Sequence, residues 1–461
     1  MAEAAKFLTG NLFRHVTVMS LTASVGLVAV FFVDFLDMIF IAMLGQAELA
    51  AAVGYAGAIL FFTTSFGIGV AIATGALVAR ALGAGDEDLA RQRASTSLIY
   101  GVLFGAIFAA LVWLNLDLLV QMIGAEGATA DLAVLYLQIV VPSLPLLMIG
   151  MAGGAILRAH GAARAAMMAT IWGSLVNGVL DPILIFVLDL ELVGAALASV
   201  AARIAIAAVA LRPIFQEYGG LIRPDLRCLA LDLGPHLTIA APAILTQLAT
   251  PLGQAYVTRA MAEFGPDAVA GLAMVSRLTP VAFGVIFALS GAIGPIIGQN
   301  YGAQRGDRVQ RAFRDGLLFT ALYVLAAALL LYLARAPLAD LFQASGQARA
   351  LVYLFCGPLA LAFFFNGALF VANAAFNNLG HPFYSTWLNW GRHTIGTVPF
   401  VMLGALWFGA EGVLIGQALG GVFFGGLAVW LARRVMAEPG SSERAPFARQ
   451  ARLLGLLHLR R

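Results

Sequence analysis

Four polar side chains could do chemistry in a chain that is otherwise apolar: Asp37, Asn177, Asp181 and Ser199. A carboxylate at the centre of a membrane helix costs roughly 2.5–3.5 kcal/mol on insertion scales, so each one kept there demands a reason. Asp34 and Asp37 are three residues apart and share one helix face. Asn177 and Asp181 are four apart, again on one face, and Pro182 follows directly. That proline lacks an N–H and frees the carbonyl of Gly178, which kinks the helix. Ser199 supplies a hydroxyl oxygen one helix further on. Carboxylates, an amide and a hydroxyl can share one proton or offer hard oxygen ligands to Na+. The structural alternative is an ion pair, in which Arg203 neutralises Asp37 or Asp181. Intramembrane acids mark ion pathways, so Asp37 and Asp181 are assigned that role, with Asp34 nearer the wet outer half of its helix.

The elements that must hold these groups follow from composition. Of 461 residues 61% are hydrophobic and only 11% are charged, with mean hydropathy +0.91. Soluble proteins carry about 25% charged residues, which excludes an ordinary soluble enzyme. Each membrane helix takes roughly 20 apolar residues, so the chain has room for about a dozen. Twelve spans are expected, with cores beginning near Val16, Ala52, Ser95, Leu132, Ala165, Gly194, Leu237, Val269, Leu317, Leu351, Phe383 and Gly412. The first is read as a retained helix rather than a cleaved signal.

Arginines fall in alternate loops: Arg80, Arg91 and Arg93; Arg158 and Arg164; Arg212, Arg223 and Arg227; Arg305, Arg308, Arg311 and Arg314. The opposite loops carry Asp117, Glu126, Asp131, Asp189 and Glu191. With Lys6, Arg14 and seven arginines from Arg433 onward, both termini are expected in the cytoplasm of a bacterial inner (plasma) membrane. The net charge of +3 is therefore a topology signal and not a nucleic-acid surface. Cys228 and Cys356 form no metal or redox motif.

An internal repeat runs through the chain. Gly45 to Ala50 resembles Gly265 to Ala270, and Gly83, Gly161 and Gly194 match Gly302, Gly380 and Gly412 at offsets of 218–219. A unit of six spans is even, so both halves enter the membrane from the same side, as parallel repeats. The expected fold is an all-α polytopic membrane protein of twelve transmembrane helices in two pseudo-symmetric six-helix lobes. Residues 1–215 form the N-terminal lobe, 216–233 a cytoplasmic linker loop, 234–437 the C-terminal lobe and 438–461 a basic cytoplasmic tail. Two such bundles enclose a path between them, which points to a secondary transporter.

The second half has no membrane-embedded acid. Its polar set includes Gln247, Gln254, Asn366, Asn373 and Asn389, with Arg277 and Arg392. Interhelical bonding is the ordinary role of such residues. Gln247, Gln254, Arg277, Asn366 and Asn373 are also candidates for the substrate pathway. Aromatics from Phe363 to Trp390 either stack on flat organic cations or face lipid. The six histidines are scattered and no nucleophile motif or phosphate loop is evident, which argues against a polytopic membrane enzyme.

"DMIFIAMLG" (Asp37 to Gly45) with "QAELAA", "VNGVLDP" (Val176 to Pro182), "LVGAALAS" (Leu192 to Ser199) and "PIIGQNYGAQRGD" (Pro295 to Asp307) together resemble the MATE (multidrug and toxic compound extrusion) transporters. The resemblance covers nearly the whole chain, and the lack of acids in spans 7 and 10 is similar to its DinF-like branch. It implies export of organic cations or amphipathic drugs in exchange for H+ or Na+ by alternating access, with no cofactor. By resemblance Asp37, Asn177, Asp181 and Ser199 form the cation site, with Na+ at Asp37, Asn177 and Asp181 as one form. Asp34 is an extra acid and Ala42 replaces a usual glycine. The expected partners are a small-molecule drug and membrane lipid, with no nucleic acid and a monomeric chain. A flippase for lipids or lipid-linked precursors is the alternative of related fold.

Overall fold

Apolar segments in lipid fold as helices because only a helix satisfies every backbone N–H and C=O within one segment. The computed structural model describes residues 5–437, and the tail expected at 438–461 lies outside the described residues. Eleven helical stretches are long and apolar enough to cross a membrane. In chain order the first ten are α1 (Leu12–Met43), α2 (Glu48–Gly83), α3 (Glu87–Trp113), α4 (Gly127–Ala159), α5 (Ala163–Val187), α6 (Glu191–Glu217), α7 (Leu226–Ala262), α8 (Pro266–Gly302), α9 (Gly306–Leu341) and α10 (Gly346–Asn378).

The eleventh stretch, Pro382–Ala437, is 56 residues long and folds back on itself. Gly409 breaks it at φ 60° and ψ −139°, a conformation that side-chain-bearing residues rarely adopt. On either side of that break the backbones touch. Gly412 packs on the carbonyl of Gly404, Gly416 on that of Phe400, and Gly420 on that of Gly396. These nested pairs define an antiparallel hairpin of α11 (382–408) and α12 (410–437). Twelve membrane-length helices result, with a short helix at Leu116–Met122 between α3 and α4, and no strand occurs among the described residues.

The glycines of the repeat do equivalent work in both halves. Gly194 lets α6 close on the backbone of Leu184 and Ile185, as Gly412 lets α12 close on α11. Gly161 and Gly380 turn the chain at φ 76° and 86°. Gly83 packs on the carbonyl of Gln299, and Gly302 packs on the carbonyl of Arg80. Each glycine meets the residue three before the other, so the two halves meet about a pseudo-two-fold axis. Small residues at such crossings let backbones approach in the absence of a hydrophobic driving force.

Most of the arginine-bearing loops lie at one end of the bundle, and that end is sealed. Arg80 donates through Nε to Asn378 O (3.0 Å) and through Nη2 to Asn377 O (2.7 Å). Gln299 Nε2 donates to Ala159 O (2.8 Å). On α3, Arg93 pairs with Asp232 of α7 at 2.9 Å, Thr96 donates to the same carboxylate (2.9 Å), and Tyr100 donates to Leu229 O. Among the described residues, the hydrogen bonds joining the two halves all lie toward this basic end. The molecule is closed there and unlatched toward the far end.

Candidate functional site

Pro182 ends the α-helical part of α5, and the backbone continues as one π-helical turn over Ile183–Val187. The turn just before the proline presents Asn177 and Asp181, which are 7% and 1% exposed. Helix α1 packs on α5, with Val33 facing the bare side of Gly178, and this brings Asp37 alongside. Asn177 Nδ2 donates to both oxygens of Asp37 (3.1 Å each) and to Asp181 Oδ2 (2.6 Å). Two carboxylates therefore share one amide. The second oxygen, Asp181 Oδ1, is buried and has no hydrogen-bond partner. A buried carboxylate oxygen without a donor is costly, and a proton or a small cation is what satisfies it. The two carboxylates offer hard oxygens that fit H+ and Na+ alike, with the Asn177 amide donating to both of them. Asp37 sits six residues, about 9 Å, from the far end of α1, on the unlatched side of the molecule.

Other residues expected at this site take different places. Asp34 is exposed and makes no hydrogen bond with the cluster. Ser199 lies one helix away, and its Oγ is 3.4 Å from Tyr136 Oη of α4 rather than on either carboxylate. The ion pair considered for Arg203 does not form. Its Nη1 donates to Val140 O (3.0 Å) and Ser143 Oγ (2.8 Å), where the 3-10 turn Val141–Ser143 interrupts α4. Tyr136 escaped the sequence reading. It is buried on α4, one turn before the Val140 carbonyl that accepts from Arg203, and it is the partner that Ser199 meets. Its only sequence signal is a polar tip on an otherwise apolar helix.

The polar residues of the second half bond mainly to one another. Gln254 Oε1 accepts from Gln417 Nε2 (3.4 Å), and Asn373 Oδ1 accepts from Asn389 Nδ2 (3.2 Å). Asn366 Oδ1 is buried without a partner and faces the bare side of Gly421, with Arg392 Nε on the same side. Gln247 is half-buried and Arg277 exposed, and neither joins the others through a side-chain bond. The aromatics there are chiefly core: Phe363 stacks on Phe283 at 4.0 Å, while Trp387 is 73% exposed on the lipid side.

The MatE family profile matches residues 23–183 and again residues 242–402, displaced by the same 219 residues as Gly83 and Gly302. The chain belongs to the MatE family. Its members are membrane transporters and not enzymes, so this MATE protein is a transporter. Over 449 residues it is 27% identical to the FAD transporter of Shewanella oneidensis, covering 95% of this chain and 98% of the relative. It is 25% identical over 297 residues to the multidrug export protein MepA of Staphylococcus aureus, covering 64% of this chain and 66% of MepA. Among solved structures, the Vibrio cholerae MATE transporter VcmN superposes with a TM-score of 0.87 at 26% identity, covering 93% of this chain and 98% of that one.

Proposed function

We propose that this MATE protein is a secondary antiporter that exports organic cations or amphipathic drugs, coupled to H+ or Na+ bound at Asp37, Asn177 and Asp181. The observation that carries the reading is the unpartnered Asp181 Oδ1 beside a second carboxylate that shares its only amide donor. Binding of H+ or Na+ fills that vacancy from the unlatched end and lets α1 and α5 repack. Because α1 also packs on α8 and α9, repacking is transmitted to the seam between the halves. Residues 1–215 and 234–437 act as the rocking lobes and 216–233 as their linker. The basic end faces the cytoplasm of the bacterial inner membrane, in keeping with the excess of arginine there. One ion entering down 100 mV supplies about 2.3 kcal/mol, enough for a roughly fiftyfold gradient of an uncharged cargo. A monovalent cation exchanged one for one moves no net charge and is driven by the ion's concentration gradient alone, tenfold per about 1.4 kcal/mol.

A second cargo reading rests on its own observation. The pocket between the halves at the basic end, about 860 Å³, is lined by Arg80, Arg93, Arg305 and Tyr301. Arg158 on the same face lies beside Gly291 and bonds to no side chain among the described residues. Such a mouth favours an anionic aromatic compound, and the near full-length relative transports FAD. Proteoliposomes loaded with a fluorescent organic cation or with FAD, under a pH or a Na+ gradient, separate the readings. The first expects gradient-driven efflux of the cation. Efflux of FAD alone selects the second, and movement of neither, with a labelled lipid flipped instead, replaces both by the flippase.

A further inference from the structure

A groove of about 620 Å³ opens between α1 and α5 at the basic end, away from Asp37 and Asp181. Its mouth holds Lys6 and Arg164 against a single acid, Glu217. Its floor runs down α1 and α5 along Val18, Thr22 and Met168. From the level of Lys6 and Arg164 the apolar wall descends about one helical turn, or about 6 Å, into the membrane. Positive charge at headgroup depth above an apolar channel is the pattern of an amphipathic anion lying in the leaflet. Arg164 is exposed, and its side chain bonds to nothing among the described residues. Lys6 makes a single long bond, from Nζ to Gly161 O (3.4 Å), so both cations are open to a further partner.

The groove matters because its rim is the N-terminal turn Lys6–Leu8, which bolts the halves together. Phe7 is 1% exposed; its N–H donates to Gln299 Oε1 (2.8 Å), and its carbonyl accepts from Asn300 Nδ2 (3.1 Å) and Arg308 Nη2 (2.9 Å). Arg305 Nη1 donates to Leu8 O (2.7 Å). Whatever fills the groove presses this turn against α8 and α9.

We propose that one anionic phospholipid from the leaflet at the basic end occupies this groove, its phosphate between Lys6 and Arg164 and one acyl chain along Val18, Thr22 and Met168. Charge selects it over residues 438–461 of this chain, which carry five arginines against Glu438 and Glu443. By holding the Lys6–Leu8 turn in place, the lipid stabilises the closed basic end. The inference stands whichever cargo is carried.

Native mass spectrometry of the full chain, taken from nanodiscs of mixed phosphatidylglycerol and phosphatidylcholine, tests this. Wild type should retain one phosphatidylglycerol and show a higher thermal midpoint than in phosphatidylcholine alone. The pair Lys6→Gln with Arg164→Gln should weaken that retention about thirtyfold, or about 2 kcal/mol at 1.4 kcal/mol per tenfold. Thr22→Trp, which blocks the floor and keeps both charges, should also lose the lipid and guards against misfolding of the first variant. Equal retention by wild type and both variants would overturn the site. So would equal stabilisation by inorganic phosphate, which would make the ligand a free anion. A rise in retention on deleting residues 438–461 would make the tail the occupant and overturn the lipid.

Discussion

The two halves of the molecule share a fold and differ in chemistry. Both end in a tight hairpin closed by a glycine, Gly194 in one and Gly412 in the other, and both turn on a left-handed glycine at positions 161 and 380. The first half carries the carboxylate pair Asp37 and Asp181, joined by Asn177, whereas the buried Asp232 on α7 is already paired with Arg93. The second half instead has an asparagine, Asn366, and an arginine, Arg392, both facing the bare side of Gly421. Their arginines are also held differently. Arg203 is tied to Val140 and Ser143, whereas the Arg392 guanidinium has no hydrogen bond among the described residues. The two halves thus supply two scaffolds, and under the proposed function the charge that responds to an ion sits in one of them. On that proposal the second half serves as the body against which the first half moves.

The largest effect expected from this contrast is at the carboxylates. Asp37→Asn or Asp181→Asn should abolish the cargo accumulation that the ion gradient sustains, about tenfold for a tenfold ion gradient in one-for-one exchange, with expression and thermal midpoint unchanged. Proteoliposome flux and a melting curve read both. Loss of folding instead would make the acids structural.

Next comes the seam. A side chain at position 302 meets the backbone carbonyl of Arg80, so Gly302→Val should destabilise the closed state by about 1–3 kcal/mol. Accessibility of a cysteine placed at Leu77 to a water-soluble maleimide should rise. No change would mean that the basic end is held elsewhere.

The arginines sharpen the comparison at smaller scale. Arg203→Met leaves Ser143 without its donor and should cost about 1–3 kcal/mol. Arg392→Met removes a buried charge that has no bond to lose, and should be neutral or stabilising. Chemical denaturation of the two variants in parallel checks the sign. Smallest is the cap of α7. The Asp225 carboxylate accepts from Cys228 N at 2.7 Å, and this bond, with Arg227 nearby, holds its carboxyl below the usual range. The cap is therefore intact at neutral pH and is lost as pH falls through and below the ordinary carboxylate range. Asp225→Ala should remove only that acid-sensitive component of the melting curve.

Much of this was legible in the residues. The twelve cores and the Asn177–Asp181–Pro182 motif rest on local spacing, which a sequence displays directly, and the repeat rests on a constant offset of 218–219 residues. Asp37 was legible for a different reason, since an acid in an apolar span is conspicuous wherever its partner lies. What escaped depends on which helices touch. Ser199 was expected on the carboxylates, yet packing of α4 against α6 turns it to Tyr136 instead. Arg203 was weighed as a counter-ion, but carbonyl and hydroxyl acceptors on the broken α4 reach it first. Arg80 and Arg308 read as topology markers, and they also donate to backbone carbonyls across the seam. The Lys6–Leu8 turn gave no signal, because its partners lie almost 300 residues away.

The central claim is that coupling resides in the first half, and gradient-driven efflux measured side by side for Asp181→Asn and Arg392→Met tests it most directly. The account predicts that Asp181→Asn loses gradient-driven efflux while still exchanging cargo down its own gradient, and that Arg392→Met keeps its response to the pH or Na+ gradient. Coupling retained in Asp181→Asn and lost in Arg392→Met would contradict it.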